Sequence, residues 1–207
     1  MRGRFITLEG GEGAGKSTQA RRLAMALRAR GLEVLLTREP GGTQGAEAIR
    51  DLLLDGRAHL APLAETLMHF AARADHVAAA IVPALAAGQW VVCDRFTDST
   101  MAYQGYGLGV DQAVIRALAA MIGPTPDLTI VLDVPVAVAL ARLAGRGSTA
   151  DRYERLGEAF FARVNAGFRA IAAAEPGRCV VVEATAPEEA IAGTVLAVVE
   201  ARLGLAQ

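Results

Sequence analysis

Five short apolar runs punctuate the chain: residues 4–9 (RFITLE), 33–37 (EVLLT), 89–94 (QWVVCD), 128–133 (LTIVLD) and 179–183 (CVVVE). At this length, continuous rather than alternating hydrophobicity predicts strands buried on both faces. Between them, apolar residues recur at helical spacing. This predicts helices over 17–30 with Gly31 as C-cap, 46–54, 62–87 with a bend at Pro83, and 111–121. Further helices are expected from after Asp133 to about 143, up to about 174, and over 187–203. Residues 39–45 (EPGGTQG) and 145–151 are polar and glycine-rich and predict loops, and a polar segment follows the third strand. Strands alternating with helices imply an α/β fold: a five-stranded parallel sheet with helices on both faces, in one domain spanning 1–207.

Composition narrows the partners. Of 207 residues, 53% are hydrophobic and 21% charged, enough apolar surface for a sizeable core. Basic and acidic residues nearly cancel to a net charge of -1, which argues against a nucleic-acid or anionic-membrane binder. The apolar stretches are interrupted by Pro83, or by Asp133 and Pro135, short of the ~18 residues of a membrane span. The apolar stretch near the start is too short to read as a signal peptide. Cys93 and Cys179 cannot make a disulfide framework, and read as buried small hydrophobes in a cytoplasmic protein.

Lys16 is the single lysine among 21 basic residues, and it falls in a glycine-rich loop. Gly10-Gly11-Glu12-Gly13-Ala14-Gly15-Lys16-Ser17 has the spacing of a P-loop, G-x-x-x-x-G-K-[ST], between a strand and a helix, and Thr18 follows. Glycines let backbone N–H groups converge on an anion, and the helix N-terminus adds its dipole. Lys16 supplies a compact charge at the β- and γ-phosphates, and Ser17 is placed to ligate Mg²⁺. ATP and Mg²⁺ are thus the expected cofactors. A GTPase would add D-x-x-G and N-K-x-D; Asp133 is followed by Val-Pro-Val, and N-K-x-D is impossible with one lysine. A motor or transporter ATPase is usually larger and often carries separate recognition modules, so a small-molecule kinase remains.

Three further segments lie where ligands bind in open α/β sheets, beyond strand carboxyl ends or on a nearby helix. They are Thr37-Arg38-Glu39-Pro40-Gly41-Gly42-Thr43, Phe70-Ala71-Ala72-Arg73, and Asp94-Arg95-Phe96 running on to Ala102-Tyr103-Gln104-Gly105. With the P-loop, this set resembles the thymidylate kinase family over essentially the whole chain. The resemblance implies a P-loop nucleoside-monophosphate kinase fold, a homodimer, and transfer of the ATP γ-phosphoryl group to dTMP. It implies that Arg73 and Gln104 read the thymine edge beside Thr100, and that Arg50 and Arg95 hold the acceptor phosphate. Glu39, before a candidate cis Pro40, would contact the acceptor side. Tyr103 would lie under the deoxyribose, and Glu12 would face the 3′-hydroxyl and metal region. The family's base-stacking ring sits four residues before the thymine-reading arginine. Here His69 holds that position and Phe70 follows it; Phe70 is the expected stacking ring, reached by a slight helix rotation, with His69 at the rim.

The resemblance also implies a lid over ATP at about 142–154. This P-loop has Gly13 where some members carry an arginine, and members without it draw the catalytic arginine from the lid. Arg146 is then the expected catalytic residue with Lys16, Arg95 and Glu12, Arg152 the second candidate, and Arg142 a contact for ADP phosphates or adenine. Asp94 either holds a Mg²⁺-bound water, orients Arg95 or is structural. His59 and His76 show no metal-ligand spacing. The alternatives are a kinase for a related deoxynucleotide and a P-loop regulator without turnover.

Overall fold

In the computed structural model, which describes residues 2–54, 60–145, 153 and 156–204, all five apolar runs become strands. They are β1 (Phe5–Glu9), β2 (Val34–Arg38), β3 (Trp90–Asp94), β4 (Leu128–Asp133) and β5 (Cys179–Glu183). All pair in parallel, in the order β2-β3-β1-β4-β5. Crossing from β1 over β3 to β2, then back to β4, puts a topological switch at the carboxyl end of β1, where a crevice opens.

Successive strand residues point to opposite faces. On one face Ile6, Leu8, Val92, Ile130 and Leu132 join Leu23 and Leu27 of α1 (Lys16–Ala29) and Val195 and Val199 of α9 (Glu188–Leu203) in one core. On the other, Phe5, Val91 and Cys93 pack under Val77, Ile81 and Leu85. Val131 meets Phe160, Val164 and Phe168 of α8 (Glu158–Ala174). Both cysteines are buried free thiols, as expected. Among the described residues, no helix is long and apolar enough to cross a membrane.

The remaining elements are α2 (Gln44–Leu54), α3 (Pro62–His76), α4 (Val82–Ala86), α5 (Thr97–Thr100), α6 (Gln112–Ile122) and α7 (Val136–Ala144). Two differences from the sequence reading each involve a π-helical turn. The helix expected over 62–87 does not bend smoothly at Pro83. A π-helical turn at Val77–Ile81 separates α3 from α4 and puts Pro83 in the first turn of a new segment, where its missing N–H and its ring are tolerated. The polar segment after β3 is also helical: α5 runs into a second π-helical turn, Met101–Gly107. Its inward residues, Thr100, Tyr103 and Gln104, are mostly polar and line a cleft, so it lacks the apolar stripe that marks a helix in sequence. Asp111, whose carboxylate accepts from Ala113 N–H, caps α6.

Candidate active site

The turn from β1 to α1 presses its backbone against neighbouring chain. A Cβ on Gly10 (φ 135°) would lie 2.4 Å from the Leu132 carbonyl oxygen, and one on Gly13 (φ 71°) 2.6 Å from that of Ala139 in α7. Neither position admits a side chain, so the loop wraps tightly. Glu12, Gly13, Gly15, Lys16, Ser17 and Thr18 line a cleft of about 810 Å³, with Gly10, Gly11 and Ala14 buried behind them. The Lys16 ammonium donates to the Gly11 carbonyl oxygen at 2.7 Å. Burial, and then the Arg95 charge, push its pKa down to about 8.

The Ser17 hydroxyl donates to Asp94 Oδ2, while Asp94 Oδ1 is buried with no partner. No group of three or more His, Cys, Asp or Glu among the described residues forms a metal cage. A hydroxyl and a carboxylate with one open oxygen nonetheless fit Mg²⁺, which takes most of its ligands from phosphates and water.

Arg95 stands at the carboxyl end of β3 with φ 70°, outside the ordinary range for a residue with a Cβ. Such a conformation costs on the order of 1–3 kcal/mol and persists where neighbours over-determine it. Here Arg95 N–H donates to the Leu8 carbonyl, and Phe96 N–H to Glu9 Oε1 at 2.7 Å. The guanidinium bonds Glu12 Oε1 at 2.6 Å and Ser99 Oγ at 3.3 Å, and lies over the Tyr103 ring. Tyr103 OH also donates to Glu12 Oε1, at 3.0 Å.

Arg50 donates to the Pro40 carbonyl at 2.7 Å across a cis Glu39–Pro40 bond. Its pKa is lowered by burial and by the charges of Arg38 and Arg95. Arg50 thus sits in the positive field of two neighbouring cations, which an anion would relieve.

Beneath Arg95 runs a polar column on the inner side of the sheet. Glu9, fully buried, also accepts from Ser99 Oγ at 2.5 Å. Asp98 takes both terminal nitrogens of Arg178, at 2.7 and 2.9 Å, and Thr7 and Thr129 hydroxyls meet at 2.8 Å. Burial, reinforced by the Asp98 charge, pushes the Glu9 carboxyl up to about 7.

At the far end of the cleft, Glu39 is a buried hub. Its Oε2 accepts from Arg73 Nε at 2.7 Å, and its Oε1 lies 3.0 Å from His76 Nδ1, whose Nε2 is 2.7 Å from Thr37 Oγ1. Arg73 Nη2 reaches Phe96 O and Thr100 Oγ1, each at 3.1 Å, leaving Arg73 Nη1 buried with no partner. His76 therefore positions Glu39 and Arg73. Sequence reading missed this, because its partners lie on β2 and the following loop.

Among the expected site residues, Glu12, Lys16, Ser17, Glu39, Arg50, Arg73, Arg95, Thr100, Tyr103 and Gln104 line this one cleft. Arg142 does not. It bonds the Gly13 carbonyl at 3.4 Å and the Ala184 carbonyl at 2.9 Å, behind the P-loop. Arg146, Arg152 and His59 lie outside the described residues. The placement of Phe70 is corrected: it is buried between α3 and α6 with Val110 and Ile115, while His69 lines the cleft. The helix cannot rotate to exchange them. Glu65, His69 and Arg73 form one stripe at four-residue spacing, and Glu39 and Thr100 hold Arg73 in place. Phe70 instead supports the Arg73 guanidinium, 4.8 Å from its ring centroid.

A P-loop at the switch point of a 2-3-1-4-5 parallel sheet, facing a second cationic pocket across one cleft, defines a P-loop nucleoside-monophosphate kinase fold. The family described as thymidylate kinase matches residues 8–195. The chain is 56% identical over 206 residues to thymidylate kinase of Gluconobacter oxydans, covering 98% of this chain and 96% of that one. It is 51% identical to the Caulobacter vibrioides thymidylate kinase over 98% and 99% of the two chains. The crystal structure of thymidylate kinase from Ehrlichia chaffeensis superposes with a TM-score of 0.78 at 36% identity, covering 96% of this chain and 99% of that chain. The chain belongs to the thymidylate kinase family.

Proposed function

We propose that this protein transfers the γ-phosphoryl group of ATP to dTMP, yielding dTDP and ADP for dTTP supply to DNA synthesis. The observation that carries this reading is the single cleft with the P-loop at one end and Arg73 and Gln104 at the other. Arg73 Nη1, a buried donor in want of an acceptor, suits a 4-oxo pyrimidine. Arg50 and Arg95 between the two ends suit the acceptor phosphate, which an arginine fork can grip through two oxygens. His69 takes the place of the stacking ring over the base. Tyr103, packed edge-on against Tyr153, closes the floor under the sugar.

An oxygen of the dTMP phosphate attacks the γ-phosphorus as the bond to the ADP oxygen breaks. No general base is needed, since a phosphate monoester with a second pKa of about 6 is already mostly dianionic at neutral pH. The chain contributes alignment and charge: Lys16 leaves the Gly11 carbonyl for the donor phosphates, and Arg95, held by Glu12, steadies the acceptor. Ser17 and Asp94 would hold Mg²⁺, which neutralises phosphate charge when bound. The further positive charge on the transferred group is assigned to Arg146, then Arg152, in a lid at about 142–154 of a single domain. Arg142 supports the donor loop from behind.

Exposed Leu63 and Leu67 on α3, with Val114 and Met121 on α6, support a homodimer through these helices. Two unpaired thiols suit a reducing cytoplasm. The test is ADP release, coupled to a reporter, with a panel of monophosphates. Rapid turnover with dTMP and slow turnover with dCMP and dUMP is expected. Equal rates across the panel, or none, would overturn the reading.

A further inference from the structure

Gln104 hangs from the π-helical turn at Met101–Gly107 and is almost wholly buried at the base end of the cleft. An amide is ambivalent: turned one way it offers a donor, turned the other an acceptor. Here its nitrogen faces two acceptors that fix it as the donor end. Gln104 Nε2 donates to Glu65 Oε1 at 2.9 Å and to Tyr153 OH at 3.0 Å. Tyr153 OH in turn donates to the same Glu65 oxygen at 2.6 Å, and His69 Nε2 lies 3.0 Å from the phenol oxygen. With its own proton spent on Glu65, the phenol oxygen can only accept from Gln104. Glu65 is fully buried one turn before His69, on the stripe that also carries Arg73.

We propose that Glu65 and Tyr153 are specificity-determining positioning residues: by holding the amide nitrogen of Gln104 on their side they leave its carbonyl as the acceptor for the base. This rests on the dTMP reading above. An acceptor from Gln104 beside a donor from Arg73 matches a pyrimidine with N3–H and a 4-oxo group, as in thymine. Cytosine presents an N3 acceptor and a 4-amino donor, the opposite at both positions. Were the amide free to turn, Gln104 would meet cytosine N3 with a proton, and half of that mismatch would vanish. A buried site that fixes its polarity rejects the wrong partner because its own groups would be left unpaired. Glu65 and Tyr153 therefore act without touching the substrate edge themselves.

The experiment compares kcat/KM for dTMP and for dCMP in the full-length enzyme and three variants. Glu65→Leu removes the acceptor and frees the amide; the dTMP-to-dCMP ratio is expected to fall roughly tenfold. Glu65→Gln keeps a carbonyl at the same place and should hold the ratio within about threefold of the unmodified enzyme. Tyr153→Phe keeps the ring and loses the hydroxyl, giving a fall between these two. A merely structural role would lower both kcat/KM values together and leave the ratio unmoved; that result in Glu65→Leu overturns the proposal. So does Glu65→Gln behaving like Glu65→Leu. Should Glu65→Leu fail to fold, an unchanged ratio in Tyr153→Phe is decisive against it. Turnover of dTMP by the unmodified enzyme stands or falls separately, so loss of the kinase reading and loss of this one are told apart.

Discussion

Replacing Glu9 by glutamine isolates the cost of holding a charge beneath Arg95. Burial and the Asp98 charge push the Glu9 carboxyl from 4.5 in an unfolded chain to about 7 in the folded one. Between those values the folded state holds more protons than the unfolded state. Stability therefore falls as pH rises from about 4.5 and levels off above about 7. That span corresponds to about 3 kcal/mol, of which about 1 kcal/mol has already gone by pH 5. Glutamine mimics the protonated acid at every pH: its carbonyl can accept from Phe96 N–H and its amide can donate to Ser99 Oγ. The variant should therefore gain on the unmodified protein by about 2 kcal/mol between pH 5 and pH 8. Equilibrium urea unfolding of both proteins at the two pH values measures this, at one protein concentration because self-association shifts apparent stability. A difference that stays constant with pH, or widens toward pH 5, refutes the reasoning.

Other consequences are as direct. Glu39→Gln weakens the hub shared by Arg73 and His76; thermal unfolding should show a loss of about 3 kcal/mol, the usual cost of breaking a buried ion pair, and the KM for dTMP should rise. Gly13→Ala must place a Cβ against the Ala139 carbonyl in a left-handed conformation that alone costs about 1–2 kcal/mol, so ATP affinity and melting temperature should both drop. Arg146→Ala should lower kcat by about 10²-fold with dTMP affinity unchanged; a normal kcat would hand the role to Arg152.

The strand and helix alternation was legible because both faces of the sheet are covered, which makes each strand a continuous apolar run. The P-loop was legible because its residues are contiguous and its chemistry admits few substitutes. What escaped detection was set by contacts distant in the chain. His76 looked like a lone histidine, since Glu39 and Thr37 reach it across some forty residues. Helix α5 and the turn after it hid behind polar residues that face a cleft rather than water. The choice between His69 and Phe70 depended on the phase of α3, which Glu39 sets through Arg73. Gly13 carries its own lesson. A Cβ there would meet the Ala139 carbonyl of α7, so the absence of an arginine is a packing requirement of this chain.

The burial of Lys16 also leaves a calorimetric trace. With its pKa near 8, the Lys16 amine is about half neutral in the empty cleft at pH 8. Polyphosphate arriving beside it restores the ammonium, and the extra hydrogen ion is drawn from solution. Nucleotide titrations at that pH should therefore absorb about half a proton per site, and the measured heat should differ between Tris and phosphate in proportion to their ionisation enthalpies.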